Sequence, residues 1–522
     1  MKAFLMYKDR DFDPRGTLPP NAQALTQDLE LTTLFNAMAL GDTFIFDVVK
    51  TAVLTGLQND LTTIQYRQDI LKDCLENPSV VREIYDIAVA AIEGEKKTYW
   101  GFFNKYPASI LSRALEVLQL FAPLLKKLKT IAAARADQFA SEGFTAFFAM
   151  LNKELDDEYF ARVHNHLRRL QFRGGVLISA ELGKGNQGAN YILRTPPERQ
   201  AGWIERMFTS HPPAYTFHIH PRDENGVRAL GELKDRGVNL VANALAQSTD
   251  HILSFFTMLR TEVAFYVGCL NVHEQLAHIG EPVTFPLLAA SGERKHAFVG
   301  LYDVCLALTL KRKIVGNEVN ADQKDLVIIT GANQGGKSTF LRSIGLAQLM
   351  LQAGMFVPAE SFRANVCDGL FTHYKREEDA TMKSGKLDEE LSRMSDIVDH
   401  LTSNCLVLCN ESFAATNERE GSEIARQITS ALVERRIKVF FVTHLYEFAR
   451  SFYDQAMEHA LFLRAERQPD GRRTFKLIEG EPLQTSYGED LYRTIFGTDH
   501  TFMVNGAAAS FDQDRDSDRV PP

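Results

Sequence analysis

Leu326-Val327-Ile328-Ile329-Thr330 runs directly into Gly331-Ala332-Asn333-Gln334-Gly335-Gly336-Lys337-Ser338, and Thr339 follows. The first five residues form a short apolar, β-branched run of the kind that makes a buried strand. The next eight are a complete G-x-x-x-x-G-K-[ST]. Residues 339–352 then carry Phe340, Ile344, Leu346, Leu349 and Leu351 as the apolar content of a helix. Strand, glycine loop and helix come in the order that phosphate binding requires.

The physical reasons are direct. Glycines let the main chain curl so that several N–H groups converge, and the helix N-terminus adds the positive end of its dipole. Lys337 supplies a point charge for β- and γ-phosphates. Ser338 offers a hard oxygen to Mg²⁺. A chance glycine-rich turn would lack the flanking strand and helix.

Two further strands extend this reading. Cys405-Leu406-Val407-Leu408-Cys409 is a buried-strand pattern that ends in Asn410-Glu411. A carboxylate there can orient or deprotonate an attacking water, so Glu411 is the candidate catalytic base. Asn410 is the candidate on the metal side: its amide oxygen can accept from a metal-bound water but brings no charge. Residues 437–442 form the third strand and end in Thr443-His444. A His at a strand's C-terminal edge can hydrogen-bond the γ-phosphate or the attacking water. Without the glycine loop, both Glu411 and His444 would read as ordinary strand-end residues.

Composition agrees with a globular chain. Of 522 residues 45% are apolar and 24% charged, which excludes a largely disordered or fibrous protein. No stretch approaches the ~20 apolar residues of a membrane span, so no membrane association is expected. The N-terminal MKAFLMYKDRDFD is not a signal peptide, and an intracellular, cytoplasmic chain is expected. Acidic residues outnumber basic ones, 67 to 58, which argues against a polybasic DNA coat while leaving room for a local basic groove. Cys74, Cys269, Cys305, Cys367, Cys405 and Cys409 are scattered without a C-x-x-C pair, as expected of buried, reduced thiols.

The N-terminal third has helical periodicity at 43–55, 61–75 and 109–134, with Asn77-Pro78 as a stop and a further helix over 154–172. Residues 176–180 and 191–194 flank the turn-rich Gly183-Lys184-Gly185-Asn186-Gln187-Gly188 and predict a β-hairpin. A β-rich or irregular stretch spans 214–220. Helical periodicity then returns over 238–278, broken near Gly268. From about 291 strands alternate with amphipathic helices, the signature of a parallel α/β sheet. The expected fold class is an α/β P-loop NTPase domain over 291–500, preceded by a mainly helical region over 1–290 with a β-rich insertion near 174–220. A disordered tail is expected over 501–522.

Together these elements resemble the ATPase domain of the MutS family of DNA mismatch-repair and recombination proteins, a branch of the ABC-type ATPases. The matching stretches are TGANQGGKSTFLRSI at 330–344, FVPA at 356–359, LVLCNESFAATNEREG at 406–421, FFVTHLYEFA at 440–449 and Ser486-Tyr487-Gly488. The helical half, including IQYRQDIL at 64–71, is similar to the family's core and lever regions. Ala332 and Gln334 stand where the repair proteins carry Pro and Met, and Asn410 where they carry Asp. The chain enters its helical core almost at once and shows no Phe-x-Glu wedge, so mismatch specificity is not carried over.

The resemblance implies ATP and Mg²⁺ as cofactors, DNA as a partner, and a homodimer with each ATP held between two subunits. Ser384, in Lys383-Ser384-Gly385-Lys386, is the candidate for a contact to the partner's γ-phosphate; a capping Ser on a surface helix is the equal alternative. Ile314 or Val315 would lie against adenine. The expected activity is an ATPase that switches a DNA-engaging helical clamp. The alternatives are an ATP-gated clamp with little turnover, and another ABC-type ATPase that does not act on DNA.

Other features carry less. His211, His218 and His220 lack companion ligands and read as structural or surface residues. Lys184 lacks a following Ser or Thr, so 183–188 reads as a hairpin turn rather than a second phosphate loop. Arg162, His164, His166, Arg168, Arg169 and Arg173, and Lys126, Lys127 and Lys129, are candidate DNA-backbone contacts but more simply a solvated face.

Overall fold

The computed structural model describes residues 1–98, 106–172, 175–195, 215–220, 222–376, 385–468 and 472–483. Helices come first: α1 (Ala22–Asp28), α2 (Leu31–Ala39), α3 (Thr43–Leu54), α4 (Leu61–Glu76), α5 (Pro78–Lys97), α6 (Pro107–Arg135), α7 (Glu142–Glu154) and α8 (Asp157–Leu170). The hairpin of β1 (Leu177–Leu182) and β2 (Gly188–Arg194) precedes α9 (Glu224–Ile279). Then follow β3 (Leu287–Ala289), β4 (His296–Leu301), α10 (Val304–Leu310), β5 (Asn317–Asn320), β6 (Leu326–Gly331), α11 (Lys337–Ala353), β7 (Ser361–Asn365) and β8 (Leu370–Tyr374). The chain continues through α12 (Lys386–Val398), β9 (Leu406–Asn410), α13 (Glu418–Glu434), β10 (Lys438–Val442), α14 (Tyr446–Asp454), β11 (Ala460–Arg467) and β12 (Arg473–Glu479).

Local chemistry sets these boundaries. Asp42, Asp60, Ser141 and Asp156 precede α3, α4, α7 and α8 and accept from their first free N–H groups. Each such cap is worth about 1 kcal/mol. Asn77 closes α4 and Pro78 opens α5, where the Asn-Pro step predicts a stop. The hairpin also forms as expected, with Gly185 at φ 71° in its turn. Residues 215–220 form no regular element. Arg173, His211 and the 501–522 tail lie outside the described residues.

Helix α9 corrects two expectations. Its 56 residues span roughly 84 Å at 1.5 Å per residue, with no break at Gly268. A Cβ at Gly268 would stand 2.8 Å from Val49 Cγ1 and 3.3 Å from Met38 Cβ. The glycine therefore permits close packing against α2 and α3 while the helical hydrogen bonds continue. Second, the long helices starting at Pro107 and Glu224 are apolar enough over 18 residues, by length and composition, to cross a bilayer. In α9 that window is 72% buried in the protein, and α9 packs along α5 and α6, so its apolar surface faces the helical core.

The main sheet has the order β12-β11-β6-β10-β9-β8. All its pairings are parallel except the antiparallel edge strand β12. Strands β6, β8 and β10 are buried throughout, and β9 is buried up to Asn410, which is why they read as near-continuous apolar runs. A smaller sheet, β3-β7-β4-β5, lies beside it. Helix α11 is buried along most of its length between the main sheet and the helical body. At its C-terminal end the side chains of Asn59 and Arg67 donate to the carbonyls of Gln352 and Ala353, at 2.9 and 3.3 Å.

A buried carboxylate helps fasten the chain's first residues to α9. Glu262 accepts from the N–H groups of Leu5, Met6 and Phe12 at 2.6, 3.4 and 3.1 Å. Burial pushes its pKa up to about 7 against these favourable contacts. A raised carboxyl binds more protons folded than unfolded, so its contribution is fullest below pH 4.5 and is lost as pH rises through about 7. Glu262→Gln turns an N–H donor toward one of these amides. It is expected to cost about 2 kcal/mol near neutral pH and to remove that part of the pH slope. Urea titrations between acidic and neutral pH check both; superimposable curves for the two proteins would contradict them.

Candidate functional site

Strand register brings three chain segments to one edge of the main sheet. Val442 pairs with Ile329 of β6 on one side and with Asn410 of β9 on the other. Neighbouring strands lie about 4.8 Å apart. The loop after β6, His444 after β10 and Glu411 after β9 therefore occupy adjacent strand ends at the C-terminal edge. Two hydrogen bonds fix the alignment: Thr443 N–H donates to Ile329 O at 3.0 Å, and Glu411 N–H to Val442 O at 2.8 Å.

The glycine loop has the conformation its sequence implies. Gly331 has φ 107°, and a Cβ there would meet the backbone nitrogen of Ala465 at 2.8 Å. Gly336, at φ 88°, is the N-cap of α11, whose first residue is Lys337. Between them Ala332 is buried, Asn333 and Gln334 are exposed and Gly335 is buried. Gln334 takes φ 57°, an uncommon value for a residue with a side chain.

Lys337 is 6% exposed and folds back to donate from Nζ to the carbonyls of Gly331 and Ala332, both at 3.0 Å. Burial depresses its pKa; the Glu411 carboxylate opposes that shift and Arg473 adds to it. The loop lysine and the candidate base therefore share one electrostatic neighbourhood.

Ser338 Oγ donates to Asn410 Oδ1 at 3.0 Å, and Thr339 follows it in α11. A hydroxyl and an amide oxygen side by side are hard donors that fit Mg²⁺, which takes few protein ligands and keeps waters and phosphate oxygens. Among the described residues no group of three His, Cys, Asp or Glu side chains is placed to hold a metal, and His218 and His220 are exposed.

Next to the loop lies a cavity of about 440 Å³ lined by Tyr302, Ile314, Val315, Gln334, Thr339 and Phe475, among others. This volume lies within the usual range for small-ligand sites. Ile314 and Val315, which the sequence resemblance sets against adenine, both line this cavity. Phe475 escaped the sequence reading. Its φ of 60°, uncommon for an aromatic, breaks the regularity of β12, and its ring is half exposed over the loop. Asn317 holds this segment, accepting from Leu477 N–H at 2.8 Å and donating to Phe475 O at 3.3 Å. The local sequence Arg-Thr-Phe-Lys-Leu gave no sign of it.

The remaining candidates separate. His444 is exposed at the sheet edge. Lys383, Ser384 and Ser486-Tyr487-Gly488 lie outside the described residues. Gly385 caps α12, which buries Met394 and exposes Leu391 and Val398. The basic side chains of α8 are exposed, and Lys129 pairs with Asp157 at 2.8 Å, linking α6 to α8. The six cysteines are free and buried, as expected.

Comparison with known proteins matches both halves of the chain. The family model described as "MutS2 N-terminal domain" matches residues 59–279, and "MutS domain V" matches residues 327–500. DNA mismatch repair protein MutS of Prochlorococcus marinus (strain MIT 9301) is 33% identical over 308 residues, 57% of this chain and 32% of the relative. The protein of the same name from Thermus aquaticus is 32% identical over 230 residues, 44% of this chain and 28% of the relative. That from Trichormus variabilis is 38% identical over 132 residues, 25% and 16%. The chain spans at most about a third of the length of these relatives. It is homologous to MutS-family proteins at the level of the superfamily, and its C-terminal half has P-loop NTPase character.

Proposed function

We propose that the chain is a Mg²⁺-dependent ATPase of MutS type that hydrolyses ATP at composite sites in a homodimer and thereby switches a DNA-engaging helical clamp, in DNA repair or recombination. The observation that carries this reading is the convergence of the Lys337 loop, His444 and Glu411 on three adjacent strand ends. In this reading the main-chain amides of Ala332, Asn333, Gln334, Gly335 and Gly336 cradle the phosphates, and Lys337 turns from its two carbonyls onto them. Ser338 and Asn410 hold the Mg²⁺ ion, which would neutralise phosphate charge. Glu411 takes a proton from the attacking water, and His444 contacts the γ-phosphate. Ser384 would meet the partner's γ-phosphate.

Coupling to the helical half is supported by Arg342 of α11. Its guanidinium pairs with Glu30, which precedes α2, and with Asp303, which caps α10 beside the cavity. The phosphate helix thus touches both the helical body and the wall of the base pocket. The test is steady-state phosphate release at saturating Mg²⁺·ATP, with plain, mismatched and branched duplexes at two salt concentrations. Turnover that responds to DNA supports the reading. Asn410 favours a second one, an ATP-gated clamp with little hydrolysis, because an uncharged amide replaces a carboxylate beside Ser338. Tight ATP binding without phosphate release would select it.

Phe475 is expected to stack on the base. Phe475→Ala should weaken ATP binding by about 1–2 kcal/mol, roughly 5- to 30-fold in Kd, with kcat little changed. Titration with a fluorescent ATP analogue measures this; unaltered affinity would remove Phe475 from the site.

A further inference from the structure

Glu411 sits in a backbone conformation that something must hold. Its φ is 53° and that of Phe413 is 63°, both in the left-handed region that side chains disfavour by about 1–2 kcal/mol. Such residues persist where their surroundings over-determine them. The surroundings here centre on His373 of β8, a residue fully buried and distant from the phosphate loop in sequence.

His373 pairs in register with Cys409, two residues before Glu411. Its Nδ1 lies 2.7 Å from Ser412 Oγ, its Nε2 lies 2.9 Å from the Glu390 carbonyl of α12, and its ring stacks on Phe413 at 5.2 Å and 23°. Burial lowers its pKa to about 4, so the ring is neutral at physiological pH. A carbonyl only accepts, so the single ring proton belongs on Nε2, and Nδ1 is left to accept from the Ser412 hydroxyl. Ser412 Oγ also donates to the His373 carbonyl at 2.6 Å, so its single proton is shared between that oxygen and Nδ1. From the other side, burial raises the pKa of the Glu390 carboxyl and the nearby main chain of Phe413 opposes that shift. All three side chains are buried.

We propose that His373 is a positioning residue for Glu411: through Ser412 and Phe413 it holds the 411–413 turn in the left-handed conformation that aims the carboxylate at the phosphate loop, and through Glu390 it ties that turn to α12. His373 is fully buried and would act only through these neighbours. A buried histidine is often only a satisfied core residue, but this one bonds or stacks on the two residues that follow the candidate base. The inference rests on Glu411 being the base, and the test separates the two.

The experiment measures kcat, Kd for Mg²⁺·ATP and the urea midpoint in His373→Phe, His373→Asn, Glu411→Gln and the Glu411→Gln/His373→Phe pair. Phe keeps the stacking and removes both hydrogen bonds; Asn offers Ser412 an acceptor but does not reach Glu390. Expected for His373→Phe is a kcat loss of about 10- to 100-fold, the scale of misaligning a reacting group by an ångström, with Kd within about twofold. Expected for His373→Asn is partial recovery of kcat. The double variant should turn over no more slowly than Glu411→Gln alone, because His373 acts through Glu411. Turnover within twofold of wild type in His373→Phe, beside an inactive Glu411→Gln, overturns the proposal and leaves the base assignment standing. A rise in Kd and a fall in midpoint that match the loss of kcat also overturn it, since that is the signature of a core residue. Should His373→Phe fail to fold, His373→Asn decides alone: kcat equal to wild type rejects the positioning role, and an intermediate kcat at unchanged Kd supports it. Wild-type turnover in Glu411→Gln would instead remove the base and this proposal with it.

Discussion

Lys337→Ala is expected to reduce ATP turnover at least 10³-fold, to background, while leaving the fold intact. The ammonium is buried and held by two loop carbonyls, so its charge is kept at the mouth of the phosphate loop rather than in solvent. Deleting one pre-aimed donor from a transition-state site typically costs about 10²–10³ in kcat. In the proposed reading a full charge facing the β- and γ-phosphates goes with it, and substrate affinity should fall as well. Ala is a good helix former at the first position of α11, and the two released carbonyls lie next to solvent-exposed Asn333 and Gln334, so stability should change little. Phosphate-release assays beside a thermal melt measure both. A folded Lys337→Ala protein with full turnover would detach the loop from the chemistry.

Glu411→Gln is expected to lower kcat by about 10²-fold or more, the upper part of what general-base catalysis supplies, with ATP affinity retained. Gln has the shape of Glu and takes the left-handed backbone no less readily. The turn, its N–H bond to Val442 O and the strand alignment should therefore survive. What disappears is the carboxylate charge that Lys337 feels, the proposed proton acceptor. The variant should accumulate in its ATP-bound form, and if that form is the closed dimer it should elute as a dimer in Mg²⁺·ATP. Single-turnover hydrolysis separates this from a binding defect. Equal rates for the two proteins would take the base role from Glu411.

The parts of this architecture that were legible from sequence are those whose chemistry is local. The strand–loop–helix at 326–352 announces itself because glycine, lysine and serine must stand at fixed offsets to meet a phosphate, and buried parallel strands need apolar residues on both faces. The polar ends of β9 and β10 were found for the same reason: Asn410-Glu411 and Thr443-His444 interrupt runs that are otherwise apolar. What escaped depends on contacts remote in sequence. Gly268 reads as a break because glycine weakens an isolated helix; its purpose is the approach of Val49, more than two hundred residues away. Phe475 reaches the cavity because Asn317 pins an edge strand with an unusual φ, and neither fact has a sequence signature. His373 looks like any histidine in a strand until Ser412, Phe413 and Glu390 are seen around it.

The central claim is that ATP phosphates lie on the loop of residues 331–339 with Glu411 facing them. A crystal structure of the chain with Mg²⁺ and a non-hydrolysable ATP analogue tests it most directly. The expected map shows the triphosphate on the loop amides, the ion beside Ser338, the base against Phe475 and the Glu411 carboxylate within one water of the γ-phosphorus. A nucleotide bound elsewhere, or a loop that stays empty at saturating analogue, would contradict it.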